Sequence, residues 1–433
     1  MPNAQGAPLR TKFILAFWLP LAATWLMMAL EGPYISAIIA RLPGAAFNLA
    51  AYGVAFALGW LAESPIMMLL TASNALVRDR QSFFALRRFT YLLNAGVTVA
   101  LALGVLPPVF EFLTDRLLGL PPEIARLAHL STAILIPWPA AIGYRRFYQG
   151  ILVRHHLTRR VAYGTVIRLT SMSATAAGLA LTTNWPGAAI GAAALVAGVI
   201  AEAAASRWMA NRVIAGIIAG GDAADGTSLT LAGISRFYYP LALTSVISLI
   251  TGPLVTFFLG HSRAPIESLA VWPVISSFIF LFRSGGVGYQ EVAVALGGVH
   301  GEHEREVHRT GWLLAGAVTL LLGVMLFTPL ADWWFQVVVG LPADLRGFAV
   351  NPARVLVLLP AFEYVLSFQR ASLIVARRTR FVTLATAIEA GVLALALLLC
   401  VSTFDLVGAL AAAIALITGR IAANGFLALS ARR

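Results

Sequence analysis

The chain repeats itself. Phe17-Trp-Leu-Pro-Leu-Ala-Ala-Thr24 is answered 220 residues later by Phe237-Tyr-Tyr-Pro-Leu-Ala-Leu-Thr244. Without a gap, Gly32-Pro33 then matches Gly252-Pro253, and Glu63-Ser64-Pro65 matches Arg283-Ser284-Gly285. From Pro139 onward the offset is 221. Pro139 matches Pro360, Phe147 matches Phe368, Thr158-Arg159 matches Thr379-Arg380, and Gly187 and Gly198 match Gly408 and Gly419. A duplicated chain interrupted by Pro and Gly at matched places has the pattern of secondary transporters, in which the substrate path runs between two related halves.

Composition identifies the solvent. The chain is 59% hydrophobic and only 12% charged, with a mean hydropathy of +0.83, whereas soluble domains carry about 25% charged residues. Too little polar surface exists to cover such a chain in water, so it belongs in a bilayer. There the backbone must satisfy itself, as helices or as a closed barrel. The apolar runs are roughly 20 residues long and do not alternate, so they are helices. Twelve spans are predicted, near 13–39, 47–72, 89–113, 127–153, 161–183, 187–206, 234–258, 266–298, 310–330, 352–376, 381–401 and 406–429. The eighth reads as glycine-broken. The first runs well past the core of a signal peptide and reads as a retained helix.

The expected fold is therefore an all-α membrane protein with two six-helix lobes. These are residues 1–208 and 232–433, joined by a flexible cytoplasmic linker at 209–231 that contains Gly220-Gly221-Asp222 and Asp225-Gly226. An even number of helices per half makes the repeats parallel, related by a pseudo-two-fold axis along the membrane normal.

The net charge of +12 suggests nucleic acid, but its distribution excludes that. With alternate loops assigned to opposite sides, eighteen basic residues fall on one side, among them Arg78, Arg80, Arg87, Arg88, Arg159, Arg160, Arg377 and Arg378. Six fall on the other: Arg41, Arg116, Arg126, Arg263, Arg346 and Arg354. This is a positive-inside bias, with both termini cytoplasmic and the protein in the plasma (inner) membrane.

Charges inside spans are costly, at roughly 2.5–3.5 kcal/mol each at mid-helix on insertion scales, and should face the bundle interior. The basic candidates are Arg145, Arg146, Arg168, Arg283 and Arg420; the acidic ones are Glu31, Glu63 and Glu363. Glu202 and Arg370 lie near predicted cytoplasmic ends and read as snorkelling or internally paired. Glu63 and Arg283 occupy equivalent places in the two halves, as do Arg168 and Glu389. Ser64-Pro65 and Ser284-Gly285 weaken their helices at matched places, and so do Gly32-Pro33 and Gly252-Pro253. Such breaks either expose backbone groups to a ligand or are packing kinks.

Other chemistry is sparse. Cys400 is the only cysteine, so no disulfide framework or thiolate metal site is expected. The stretch from His300 to His308 mixes charges and reads as a solvated helical turn. No Walker A, Gly-x-Ser-x-Gly or His-Glu-x-x-His motif occurs. Neither an enzyme nor a bound cofactor or metal is expected.

Two six-helix halves, each with a Pro-Leu near the start of its first helix, resemble the MOP flippase superfamily of multidrug (MATE) exporters and lipid-linked flippases. Within it the chain is most similar to the progressive ankylosis family. The similarity lies in Pro20-Leu21 with Thr24, Leu49–Leu58, Pro65, Val77-Arg-Asp-Arg80, Gly150–His156 and the run from Pro360 to Arg377-Arg378-Thr379. It is specific across 12–170 and patchy after 230. The resemblance implies export of phosphate-rich or carboxylate anions of the nucleotide, pyrophosphate or citrate class. The chain departs from the MATE pattern where those exporters carry a first-helix aspartate. Here that place is Ser36, and no acid lies between 234 and 258. Glu363 is then the best coupling acid, with Glu31 and Glu63 behind it.

The expected function is alternating-access export of a small anion by a monomer, with a proton or sodium ion as the coupling ion. Arg145, Arg146, Arg168, Arg283 and Arg420 are the expected substrate contacts. The alternatives are cation-coupled multidrug export and lipid-linked flipping. The topology is checked by single cysteines in a Cys400→Ser background. Those placed near 80, 157, 218, 304 and 378 should react with impermeant thiol reagents only from the cytoplasmic side. Labelling of any of them from outside breaks the twelve-span scheme.

Overall fold

The computed structural model describes residues 10–155, 157–221, 230–297, 303–376 and 378–431. Among them the chain is helical throughout and has no strand beyond a single bridge between Arg263 and Val407. The first repeat opens with α1 (Thr11–Ala29) and α2 (Glu31–Ala40). Next come α3 (Ala45–Glu63) and α4 (Leu69–Leu76), then α5 (Arg80–Gly104) and α6 (Pro107–Glu111). It closes with α7 (Pro122–Ile134), α8 (Pro137–Arg154), α9 (Thr158–Thr182) and α10 (Gly187–Ala219). The second repeat holds α11 (Leu231–Leu249), α12 (Thr251–Gly260), α13 (Pro265–Leu296), α14 (Glu304–Phe327) and α15 (Leu330–Asp332). It ends with α16 (Arg346–Val355), α17 (Leu359–Val375), α18 (Thr379–Leu398) and α19 (Gly408–Ala431).

Local backbone geometry follows the repeat. The left-handed residues Gly44 and Ala264 lie at offset 220, and Gly119 and Gly340 at offset 221. The π-turns Phe112–Leu117 and Trp333–Val338 are also 221 apart. The breaks at Leu30 and Ile250 correspond too, and they fall one turn before Gly32-Pro33 and Gly252-Pro253. The cause is the proline ring, which excludes the carbonyl four residues earlier, at Ala29 and at Leu249.

Among the described residues nine helical segments are long and apolar enough to cross a membrane, or ten if α5 and the Pro107–Leu117 segment, bent by 74°, count as one. Segment Thr158–Thr182 is a 25-residue helix that carries Arg159, Arg160 and Arg168. Two expectations need correction. The linker at 209–231 is helical up to Ala219, because α10 continues unbroken; residues 222–229 lie outside the described part. The eighth span is not glycine-broken, since α13 runs continuously through Gly285, Gly286 and Gly288. These glycines allow close packing instead. A Cβ at Gly288 would lie 3.0 Å from Trp25, and one at Gly286 would lie 3.1 Å from the Glu363 side chain.

Two compact units form, and they are not the two sequence halves. One comprises residues up to Arg41 together with Phe258–Arg433; the other is Leu42–Phe257. Each unit therefore contains the opening helices of the opposite repeat. In the first unit α1 and α2 pack on α13, which packs on α17, while α18 packs along α19. The Trp18 indole Nε1 donates to the Gly285 carbonyl at 2.9 Å. In the second unit α10 packs on α9, α8, α7 and α3, and α11 joins through the Tyr238 hydroxyl, which donates to the Pro65 carbonyl at 2.5 Å. Trp18 and Tyr238 are equivalent in the repeat, and so are Gly285 and Pro65. An apolar core of Phe83, Phe147, Tyr148, Ile151, Ile214 and Ile234 ties α5, α8, α10 and α11 together.

Two equivalent glycines set helix spacing. A Cβ at Gly198 would lie 3.0 Å from the Arg168 carbonyl, and one at Gly419 would lie 2.9 Å from the Glu389 carbonyl. Gly198→Val and Gly419→Val should each lower stability by about 1–3 kcal/mol through overpacking. Thermal unfolding in detergent measures this; Gly216→Val, where the space is open, is the control.

Candidate functional site: two buried charge networks

Each unit holds one network of buried charge. In the Leu42–Phe257 unit it centres on Glu202, near the middle of α10 and about 1% exposed. Glu202 is mid-helix and not near a helix end, because α10 overruns the predicted span, and it is internally paired as expected. Its carboxylate accepts a hydrogen bond from Arg145 of α8 and one from Gln149, one turn further along α8, at 3.0 Å. Arg168 of α9 lies 3.6 Å away. Gly164 brings α9 close, since a Cβ there would stand 3.3 Å from the Glu202 side chain.

Arg146 points elsewhere. Its guanidinium contacts the Met67 sulfur at 2.9 Å and stands 3.7 Å from Glu63, at the end of α3. Its Nε is buried without a hydrogen-bond partner, and the side chain is 20% exposed. Glu63 ends its helix because Pro65 follows. The Ser64 hydroxyl turns back to the Leu61 carbonyl at 2.6 Å, as the equivalent Ser284 hydroxyl does to Leu281 at 2.7 Å.

In the other unit the network centres on Glu363 of α17. Arg283 of α13 donates to one of its oxygens from Nε at 2.8 Å and from a terminal nitrogen at 2.6 Å. Arg420 of α19 bridges Glu363 at 3.1 Å and Glu389 of α18 at 3.0 Å. Arg370, two turns after Glu363 on α17, bonds the Thr386 hydroxyl at 3.1 Å. Glu31, the first residue of α2, is buried in the same unit.

The structure thus brings Arg145 and Arg168 to Glu202 and, separately, Arg146 to Glu63 in one unit, and gathers Arg283, Arg420 and Glu363 in the other. Glu63 and Arg283, equivalent by sequence, each pair inside their own unit. Sequence reasoning undervalued Glu202, Gln149 and Arg370. The offset of 221 pairs Gln149 with Arg370 and could have flagged both. Glu291 lies on the exposed face of α13. Outside the spans, Asp332 accepts a paired contact from Arg346, which lowers the carboxyl pKa. No three His, Cys, Asp or Glu side chains gather as a metal group among the described residues; the sequence stretch from His300 lies partly outside them.

The fold is shared with solved transporters described as members of the MOP superfamily. The chain resembles an inward-facing multidrug resistance MATE transporter of that superfamily, with a TM-score of 0.70 and 15% identity over 94% of each chain. It equally resembles the lipid II flippase MurJ in an inward closed conformation, with a TM-score of 0.70 and 15% identity over 96% of this chain and 88% of that one. A MOP superfamily transporter from Pyrococcus furiosus, described by the reverse polarity of its binding pocket, matches with a TM-score of 0.64. It is 13% identical over 98% of this chain and 95% of its own. No family model matches the sequence, and no curated protein matches it.

Removing one member of a buried ion network leaves the others uncompensated, at a cost of about 3–5 kcal/mol. Glu202→Ala should lose that much stability, and Arg145→Met in the same chain should recover part of it. A double-mutant cycle on thermal unfolding measures the coupling; additive losses would mean that the network is not cooperative.

Proposed function

We propose that this protein is a multi-pass secondary transporter that works by alternating access and moves a small organic or phosphate-containing anion outward. The fold supports the transporter class, since the solved proteins that share it include MATE transporters and a lipid flippase. The observation that carries the anion reading is Arg146. It is a guanidinium at membrane depth with its nearest carboxylate at 3.7 Å and one nitrogen unpartnered. Such a group is ready to bind phosphate or carboxylate, which guanidinium forks recognise in bidentate fashion.

In this reading Arg145, Arg168, Arg283 and Arg420 supply further positive potential around their carboxylates. Glu363, held between Arg283 and Arg420, is the coupling group, with Glu31 and Glu63 behind it. The twelve crossings, the lobes at 1–208 and 232–433, the cytoplasmic termini, the inner-membrane location, the monomeric state and the kinship to the progressive ankylosis family belong to the same proposal. Cation-coupled multidrug export is the second reading, favoured by the MATE neighbours. Lipid flipping is the third, favoured by the MurJ likeness.

Purified protein in liposomes, offered citrate, pyrophosphate, a nucleotide, a cationic dye and a lipid-linked carrier, separates the three. Anion flux should dominate. Arg146→Ala and Arg168→Ala should lower it by about tenfold or more, the worth of one charge-assisted hydrogen bond. Glu363→Gln should change its pH profile. Dye transport that anions do not compete with, or anion flux unchanged in both arginine variants, overturns the anion reading.

A further inference from the structure

The network around Glu363 does not balance. Arg283, Arg370 and Arg420 are three fixed positive charges, against Glu363 and Glu389 as two negative ones. All five lie on α13, α17, α18 and α19 of one unit. Arg283 and Arg420 have carboxylates in contact. Arg370 has none, since no Asp or Glu among the described residues lies within 4.0 Å of it, and its one hydrogen bond goes to the neutral Thr386 hydroxyl. Arg420, Glu363, Glu389 and Arg283 are nonetheless close enough to act on its charge. The Nε atoms of Arg370 and of Arg420 are both buried and without hydrogen-bond partners. A buried excess charge is expensive unless a counter-charge is supplied.

The repeat shows that the fold does not require an arginine here. The equivalent residue is Gln149, a neutral amide whose hydrogen bond to Glu202 is complete within its own network. The Leu42–Phe257 unit also holds three arginines against two glutamates, but there each arginine has a carboxylate within 4.0 Å. An arginine without one is particular to the second network. Thr386 and Glu389 lie three residues apart on one face of α18, so the hydroxyl that Arg370 holds lies beside the carboxylate that Arg420 holds.

We infer that Arg370, with Arg420 and the Thr386 hydroxyl, forms a binding site for one anionic group within the Phe258–Arg433 part of the chain. The ligand class is a monoanionic centre such as chloride, a carboxylate or a phosphate oxygen. The inference deepens the anion reading by assigning a residue for recognition that is distinct from Arg146. It differs in that it requires only binding, not transport.

The experiment is a thermal-shift titration of the purified full-length protein in detergent with chloride, inorganic phosphate and citrate, gluconate being the reference salt at matched ionic strength. Wild type should show a saturable rise in Tm with at least one of the three. Arg370→Gln, which installs the residue of the first repeat, should fold and shift the midpoint upward by about tenfold or more. Should that variant fail to fold, Arg370→Lys keeps the charge but loses the Nε donor and the fork, and should weaken binding in the same direction. No saturable shift in wild type, or an unchanged midpoint in the substituted protein, overturns the site. Liposome flux separates the two proposals. Saturable binding lost on substitution, with no anion flux in wild type, leaves a fixed ion site and removes the transport reading. Anion flux with a midpoint indifferent to Arg370 keeps transport and removes this site.

Discussion

A helix weakened at its middle inside a bilayer needs donors and close neighbours from elsewhere in the chain, because lipid supplies no hydrogen bonds. At the matched positions Pro65, where the helix ends, and Gly285, where it continues, an aromatic side chain from the opening helix of the other repeat donates to the backbone carbonyl. Tyr238 donates to Pro65 and Trp18 to Gly285. One such bond contributes only about 0.5–1.5 kcal/mol net. Its position matters more than its strength, since it ties each opening helix to the repeat that did not encode it. The glycines at 285, 286 and 288 let α1 and α17 approach α13. The same approach lets Glu363 reach Arg283.

Much of this was legible in the sequence, and the reasons for the rest are physical. The duplication predicted matched breaks, and the matched left-handed residues at 44 and 264 and at 119 and 340 agree with it. Hydrophobic period and run length report that a segment is a helix in lipid, but not which helix it lies against. The exchange of α1 and α11 between units therefore could not be read. Gly285, Gly286 and Gly288 read as a break because glycine lowers helix propensity. In a bilayer the gain from close packing outweighs that cost. Glu202 was placed near a helix end because the apolar span was ended at 206, whereas α10 carries Arg207 and Arg212 onward to Ala219.

The charge inversion between repeats has a geometric explanation. Glu63 pairs with Arg146, whereas the equivalent Arg283 pairs with Glu363. Arg146 corresponds to Ser367, and Glu363 corresponds to Ile142. Residues 142 and 146 are one turn apart on the same face of α8, so the partner has moved by one turn as the sign reversed. The second pair behaves likewise. Arg168 meets Glu202, while the equivalent Glu389 meets Arg420, and Arg420 corresponds to Val199, three residues before Glu202. The fold thus fixes where two helices can host a buried ion pair and leaves the sign of each member free. Inversion of both pairs conserves the charge they carry between them. What distinguishes the two networks must then lie in the residues that the inversion does not exchange. Among these are Arg145, whose equivalent is Leu366, and Arg370, whose equivalent is Gln149. Each network thus keeps a third arginine beyond its two pairs, but Arg145 contacts Glu202 whereas Arg370 bonds the Thr386 hydroxyl. A buried arginine without a carboxylate partner is costly, and an anionic ligand at the inferred site would supply the counter-charge that Glu202 supplies to Arg145.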